Sequence, residues 1–369
     1  MRDAVRKAPK PTLAAVAGRA GVSAPTVSKV LNGRTDVSAE TRARVVRALE
    51  EAGYESPRQR RAARTVAVGP PVVEILIGSL GSGYMTEILD GLLDYAVELG
   101  IETVVSKTAA SGTSEPSAQR PTPETRARRM VEEGRRGLLV VTPAVRDSQL
   151  NAFLRRKIPV VVIDPHNTPS DVVSVGATDW AGGKSATEHL IELGHRRIAF
   201  VGGAVTVDCN LARLHGYLAA LMAAGIPVDE QYIVNGQFHA EHGVRGLTAL
   251  LSLGTPPTAI FAANDLIASG ILAGARRSGI AIPRDLSVVG FDGSYLAEES
   301  VPRLTTVNQP LNAIARAALD SLLRQIKGEP FAAKRTELAT KLVVRDSTAP
   351  PATTTTCRAT GNGRHGHDH

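Results

Sequence analysis

Residues Thr12–Tyr54 read TLAAVAGRAGVSAPTVSKVLNGRTDVSAETRARVVRALEEAGY, and their spacing predicts three short helices. Thr12 can cap the first, with Leu13, Val16, Ala17 and Ala20 on one face, before Gly21-Val22 breaks it. Ser23 caps the second, where Pro25 lies in the first turn and has no hydrogen bond to lose. Val27, Val30 and Leu31 repeat at i, i+3, i+4, and Asn32-Gly33 ends this helix. Ser38 caps the third, with Thr41, Val45, Ala48 and Leu49 facing inward and Gly53 closing it. Two short helices joined through a glycine turn, with a third packed on them, predict a helix-turn-helix unit.

Charge singles out the same end of the chain. Residues 1–64 hold 14 Lys and Arg against 6 Asp and Glu, whereas the whole 369-residue chain has a net charge of only +7. The body is therefore near neutral and the excess positive charge sits at the N-terminal end, a pattern that suits contact with a polyanion. Residues 1–10 read as a basic tail. Residues 55–71, ESPRQRRAARTVAVGPP, read as an Arg- and Pro-rich linker.

Beyond the linker the pattern changes. VVEILIGSL, IETVVS, GLLVV, IPVVVID, RIAFVGG, TAIFAAN and LSVVGFD are strand-like runs, and Met85–Leu99 has helical periodicity. Strands alternating with helices predict parallel α/β layers, in two blocks of roughly 72–165 and 175–292. A polar Pro/Ser-rich stretch, residues 106–123, interrupts the first block. The segment from 347, STAPPATTTTCRATGNGRHGHDH, has no apolar pattern and is expected to be disordered. No apolar run approaches the ~20 residues needed to span a bilayer. The basic start leads into no apolar signal region, so the chain reads as cytoplasmic with no membrane partner. Cys209 and Cys357 cannot make a disulfide framework, and no Cys/His spacing matches a zinc site. No metal or cofactor is expected; His365, His367 and His369 offer at most an adventitious metal contact.

The quoted stretch resembles the DNA-binding headpiece of LacI/GalR-type transcription regulators. Its markers are Thr12-Leu13, Val16-Ala17, Ala20-Gly21-Val22-Ser23, Thr26-Val27-Ser28, Val30-Leu31-Asn32 and Val37-Ser38. GLLVV, IPVVVID, HLIELGHRRIAFVGG, RLHGY, AIFAANDLIASGIL, SVVGFDG and PRLTTVNQP follow in the order of that family's sugar-binding-protein-like core. The resemblance covers roughly residues 12–346. It implies an α/β fold: a three-helix headpiece (1–56), a hinge (57–71) and a two-lobed periplasmic-binding-protein-like core of parallel α/β sheets (72–346). The expected lobes are about 72–176 with 293–310, and 177–292 with 311–346. The segment PHNTPSDVVSVGATDWAGG also resembles actinobacterial members that respond to plant-polysaccharide sugars.

A helix-turn-helix places the start of its second helix in the major groove. By resemblance the base readers fall on Ala24, Pro25 and Lys29. Only Lys29 has a polar side chain, and Ala24 and Pro25 serve either base contact or plain helix-start chemistry. Thr12, Ser23, Thr26, Ser28 and Asn32 suit phosphate contacts or capping. In the family a hinge leucine wedges into the minor groove at the operator centre. That position falls on Ala63 here, or on Arg64 after a one-residue shift, and neither is leucine. Arg58, Arg60, Arg61 and Arg64 instead suit a narrow minor groove.

The family's lobes close on a small molecule, usually a sugar, whose vicinal hydroxyls suit charged planar side chains and whose C–H faces suit aromatic rings. The resemblance nominates Arg213 and Asp265 as hydrogen bonders, and Asp164 beside them. Trp180 and Phe238 are stacking platforms or core residues, and Asp292 serves the hinge between lobes. Asp164 and Asp265 both follow predicted strands, where an α/β sheet places its ligand. The resemblance thus implies a ligand-responsive repressor of carbohydrate-utilisation genes, binding a near-palindromic operator as a homodimer. An activator of the same family is the near alternative. A transport sugar-binding protein would need a signal peptide and no basic headpiece. GSLGSG at 78–83 fails the G-x-G-x-x-G dinucleotide spacing, and no nucleophile–base pair or metal cluster suggests an enzyme.

Overall fold

The computed structural model describes residues 12–31, 37–52, 54, 70–107, 121–141, 147–165, 171–331 and 333–352. Among these, the chain forms two compact units, one within residues 1–71 joined by 128–135, the other within 72–127 and 136–369.

The first unit is the three-helix headpiece: α1 (Leu13–Ala20), α2 (Ala24–Leu31) and α3 (Ala39–Ala52). Each start is capped as the sequence predicts. Ala15 N donates to Thr12 Oγ1 at 3.2 Å, Thr26 N to Ser23 Oγ at 3.4 Å and Thr41 N to Ser38 Oγ at 3.3 Å. Gly21 takes φ +62°, the left-handed conformation that lets the chain turn sharply out of α1. Val16, Val27 and Val45, one from each helix, are fully buried together.

The second unit holds two six-stranded sheets. In chain order the elements that follow the headpiece are β1 (Val72–Ile77), α4 (Gly83–Glu98), β2 (Glu102–Lys107), α5 (Pro123–Glu132), β3 (Arg135–Val141), α6 (Asp147–Leu154), β4 (Val160–Ile163) and β5 (Val173–Ala177). Then follow α7 (Asp179–Glu192), β6 (Ile198–Gly202), α8 (Asp208–Ala223), β7 (Ile233–Asn235), α9 (Ala240–Leu251), β8 (Ala259–Ala262), α10 (Asp265–Arg277) and β9 (Ser287–Asp292). The remainder is α11 (Tyr295–Glu299), β10 (Thr305–Asn308), α12 (Leu311–Lys327), β11 (Arg335–Leu338) and β12 (Lys341–Val343). The sheets run β11-β5-β4-β3-β1-β2 and β12-β10-β9-β8-β6-β7, with parallel pairing dominant and β12 antiparallel to β10. The central strands are near-continuous apolar runs because helices cover both faces.

Three expectations are corrected. Residues 293–310 do not join the first lobe: Thr305 pairs with Val289, so β10 extends the second sheet. Residues 311–338 do not join the second lobe. The Leu311, Ile314, Ala315, Ala318 and Leu319 face of α12 is buried in the first lobe's core, and β11 pairs with β5. The chain therefore crosses between lobes near Thr178, Gln309 and Thr340. Thr178 Oγ1 lies 3.0 Å from Thr340 Oγ1, which ties the first crossing to the third. Nor is the segment from 347 without structure at its start. Ser347 is fully buried and its Oγ donates to Val288 O at 2.6 Å. Short hydroxyl residues seal that edge by side-chain hydrogen bonds, which an apolar periodicity cannot reveal. Residues 353–369 lie outside the described residues.

Candidate functional site

On α2, Val27 and Val30 face the headpiece core, while Ser23, Pro25 and Lys29 are exposed and Ala24, Thr26 and Ser28 are half-buried. Ser23 Oγ lies 2.9 Å from Thr26 Oγ1, so the capping pair at the start of α2 also presents hydroxyls outward. Ala24 packs partly against the core, which favours its helix-start role. Thr12 is exposed at the start of α1, so two helix N-termini with hydroxyl caps face solvent, an arrangement suited to phosphates. Asn32, Arg58, Arg60, Arg61, Ala63 and Arg64 lie outside the described residues.

In the core, α7 and α8 cross closely because small residues line the contact. A Cβ on Gly183 would lie 2.4 Å from the Arg213 carbonyl oxygen, and one on Gly216 would lie 2.2 Å from the Trp180 carbonyl oxygen. This crossing brings the start of α7 to Arg213 on α8. Arg213 Nε donates to Asp179 Oδ1 at 2.8 Å, and Nη1 donates to Ala263 O at 2.7 Å. Asp292 Oδ1 is 3.5 Å from Nη1, and the guanidinium stacks over the Phe291 ring, 3.8 Å from its centroid. Burial would lower the Arg213 pKa, but Asp179 and Asp292 more than offset this and hold the charge in place. Asp292 has φ +109° and accepts from Gln309 Nε2 at 2.9 Å, so it serves the second crossing and the Arg213 cluster together. Gln309 Oε1 is buried with no hydrogen-bond partner.

Asp164 directly follows β4 of the first lobe with φ +42° and accepts a hydrogen bond from Tyr84. Burial, and then the nearby Asp179 charge, push Asp164 up to about 7. Burial likewise raises Asp179 and Asp292 and pushes the Cys209 thiol up to about 12. Asp164 from one lobe and Asp179 from the other line a common cavity of about 290 Å³, with Trp180, Cys209, Arg335 and Glu337 around it.

The nominated ligand residues therefore divide. Arg213 and Asp164 belong to the cluster, and Trp180 is 48 % exposed at the cavity, not core. Phe238 packs partly buried over Gly203, where a Cβ would meet its ring at 2.3 Å. Asp265 is not among the residues that line that cavity. It is 1 % exposed and its carboxylate is consumed by Thr306 Oγ1 at 2.6 Å, Ser294 N at 2.8 Å and Ser294 Oγ at 3.0 Å. The acid beside Arg213 in the second sheet is Asp292. Sequence reasoning missed Tyr84, Asp179 and Gln309. Asp179 had a signal, since it directly precedes Trp180; the other two are joined to the cluster only by folding.

Comparison with known proteins places both parts of the chain in known families. Residues 12–56 match the model for "Bacterial regulatory proteins, lacI family", and residues 187–348 match a "Periplasmic binding protein-like domain". The chain is 35 % identical over 347 residues to the HTH-type transcriptional regulator CelR of Thermobifida fusca, covering 92 % of this chain and 98 % of that protein. A solved CelR–cellobiose complex is similar at 32 % identity and TM-score 0.67, covering 91 % of this chain and 99 % of that one. The lac repressor dimer bound to operator and an anti-inducer is similar at 27 % identity and TM-score 0.67, covering 92 % and 100 %.

Proposed function

Because the chain belongs to the lacI family of bacterial regulatory proteins, we propose that it is a sugar-responsive repressor of carbohydrate-utilisation genes and not an enzyme. Its headpiece reads one half-site through the start of α2, so a homodimer meets a near-palindromic operator. Lys29 is the polar base reader, with Ala24 and Pro25 against the bases. Thr12, Ser23, Thr26, Ser28 and Asn32 hold phosphates. Arg58, Arg60 and Arg61 follow the minor groove at the operator centre, near Ala63.

The observation that carries the effector reading is Arg213, a buried guanidinium fixed by Asp179 and Asp292 and backed by Phe291. Its partners fix its orientation, so little ordering cost remains when a ligand arrives. Asp164 on the first lobe faces Asp179 on the second across the same cavity. Sugar hydroxyls bridging the two carboxylates set the separation of the lobes. A second link, Tyr295 N donating to Glu87 Oε1 at 2.6 Å, already spans them. An effector that binds one lobe arrangement better than the other shifts operator affinity by that difference. Trp180 supplies a stacking face at the cavity, and Phe238 bounds the second lobe's side. The likeness to a cellobiose-bound regulator supports a sugar as the ligand.

Selecting bound DNA from a random pool, with and without a panel of neutral mono- and disaccharides, tests this reading. Recovery of one palindromic sequence, released by one sugar, is the expected outcome. Recovery of no preferred sequence overturns the regulator, and a palindrome indifferent to every sugar overturns the effector class.

A further inference from the structure

The cavity beside β5 is lined against negative charge. Its walls carry Asp164, Asp179, Asp208 and Glu337, and among the described residues Arg335 is its sole lining cation. Arg335 is engaged by Glu337, with 2.6 Å between Nη2 and Oε1. Arg213, behind Asp179, has its Nε and Nη1 held by Asp179, Asp292 and the Ala263 carbonyl oxygen. Two helices begin at this cavity, α7 at Asp179 and α8 at Asp208. A helix N-terminus is where a phosphate ordinarily docks. Here each of the two starts with the chain's own carboxylate, and neither is capped by a side chain from its N-cap residue. Burial raises the Asp164 and Asp179 carboxyls, and the nearby Arg213 only partly offsets this.

We propose that this cavity filters effectors by charge, accepting an uncharged sugar or one carrying an ammonium in place of a hydroxyl, and rejecting sugar phosphates and uronates. The proposal rests on reading this cavity as the effector site. Vicinal hydroxyls can donate to Asp164, Asp179 and Glu337 at once, and an ammonium adds charge complementarity. A phosphate or carboxylate brings acceptors to a wall of acceptors, with like charge at short range. On one sugar skeleton, that difference corresponds to at least about a hundredfold in affinity.

Trp180 is the chain's only tryptophan and stands at this cavity, so its emission reports on the site directly. In the full chain, caesium should quench Trp180 at least about twofold more than iodide, each scaled to neutral acrylamide. The double variant Asp208→Asn/Glu337→Gln should narrow that gap. Equal quenching by the two ions, or stronger quenching by iodide, overturns the filter. In a second arm, Trp180 emission is followed on titration with cellobiose, glucose, glucosamine, glucose 6-phosphate and glucuronate. Glucose 6-phosphate or glucuronate binding within about tenfold of glucose also overturns it. If every sugar is silent while the caesium preference stands, the sugar-effector reading fails and only the cavity's exclusion of anions stands.

Discussion

Asp265 accepts two hydrogen bonds from Ser294, one from the backbone N–H at 2.8 Å and one from Oγ at 3.0 Å, both at Oδ2. This pins the start of α10 to the turn after β9 and occupies the Asp265 carboxylate. Burial raises its pKa from 3.8 to about 6, although Thr306 and Ser294 pull the other way. A folded-state pKa above the unfolded one means that the stabilising contribution is full below about pH 4 and is lost as pH rises through about 6.

Asp265→Asn keeps an acceptor for Ser294 and turns an amide N–H toward Thr306 Oγ1. It should therefore gain on the wild type as pH rises from 4 to 7, by on the order of 3 kcal/mol for a two-unit shift. Thermal unfolding of the full chain across that range checks this, and effector-induced release of DNA should persist. Loss of the response with stability unchanged would put Asp265 back in the site.

Arg213→Ala should abolish the effector response while the free protein still binds operator. The change removes a charge-assisted grip worth roughly 1.5–3 kcal/mol, hence tenfold or more in ligand affinity. It also strands Asp179 and Asp292, and breaking a buried pair costs about 3–5 kcal/mol of stability. Arg213→Lys keeps the charge but not the fork that serves Asp179 and the Ala263 carbonyl together, so it should restore stability more than response. Melting curves beside effector titrations separate the two effects.

Operator binding should be steeply salt-dependent, with log K falling by about 0.9 per log salt for each phosphate neutralised. Lys29→Ala should relax base preference at one position of each half-site. Replacing Arg60 and Arg61 with Ala should weaken binding across sequences and flatten the salt slope. Gel shifts at several salt concentrations read both effects, and a flat slope in the wild type would remove the electrostatic role of the basic headpiece.

The headpiece was the most legible part of the chain, because capping residues, a left-handed glycine and an apolar i, i+3, i+4 face are all local signals. Thr12, Gly21, Ser23 and Ser38 act where their spacing puts them. The exchange of β10, α12 and β11 between lobes was not legible. The exposed RTEL strand β11 has no buried face to impose a pattern, and pairing partners more than 150 residues apart leave no trace in a local window. The site was half legible for the same reason. Arg213 and Asp164 lie in recognisable runs, but that Asp292 stands beside Arg213 while Asp265 bonds Ser294 and Thr306 depends on folding.

The segment 347–352, which lacks an apolar pattern, makes the last prediction. His195 is 1 % exposed at the end of α7, with Nδ1 2.9 Å from Thr258 Oγ1 and Nε2 2.9 Å from the Ala349 carbonyl oxygen. Ser287 Oγ donates to that same carbonyl at 3.0 Å, and Thr348 Oγ1 lies 3.0 Å from His189 Nε2. Burial lowers the pKa of His195 and of His189. For a histidine held neutral by folding, stability is full above the unfolded value near 6.5 and is lost as pH falls through it toward the folded value. Ending the chain after Ala352 should leave the melting temperature unchanged. Ending it after Asp346 removes the Ser347, Thr348 and Ala349 partners and wets His195. That truncation should lower the melting temperature at pH 8 and shrink the further loss seen between pH 7 and pH 5. An unchanged acid-induced loss would show that His195 is kept neutral by the sheet edge alone and not by this strap.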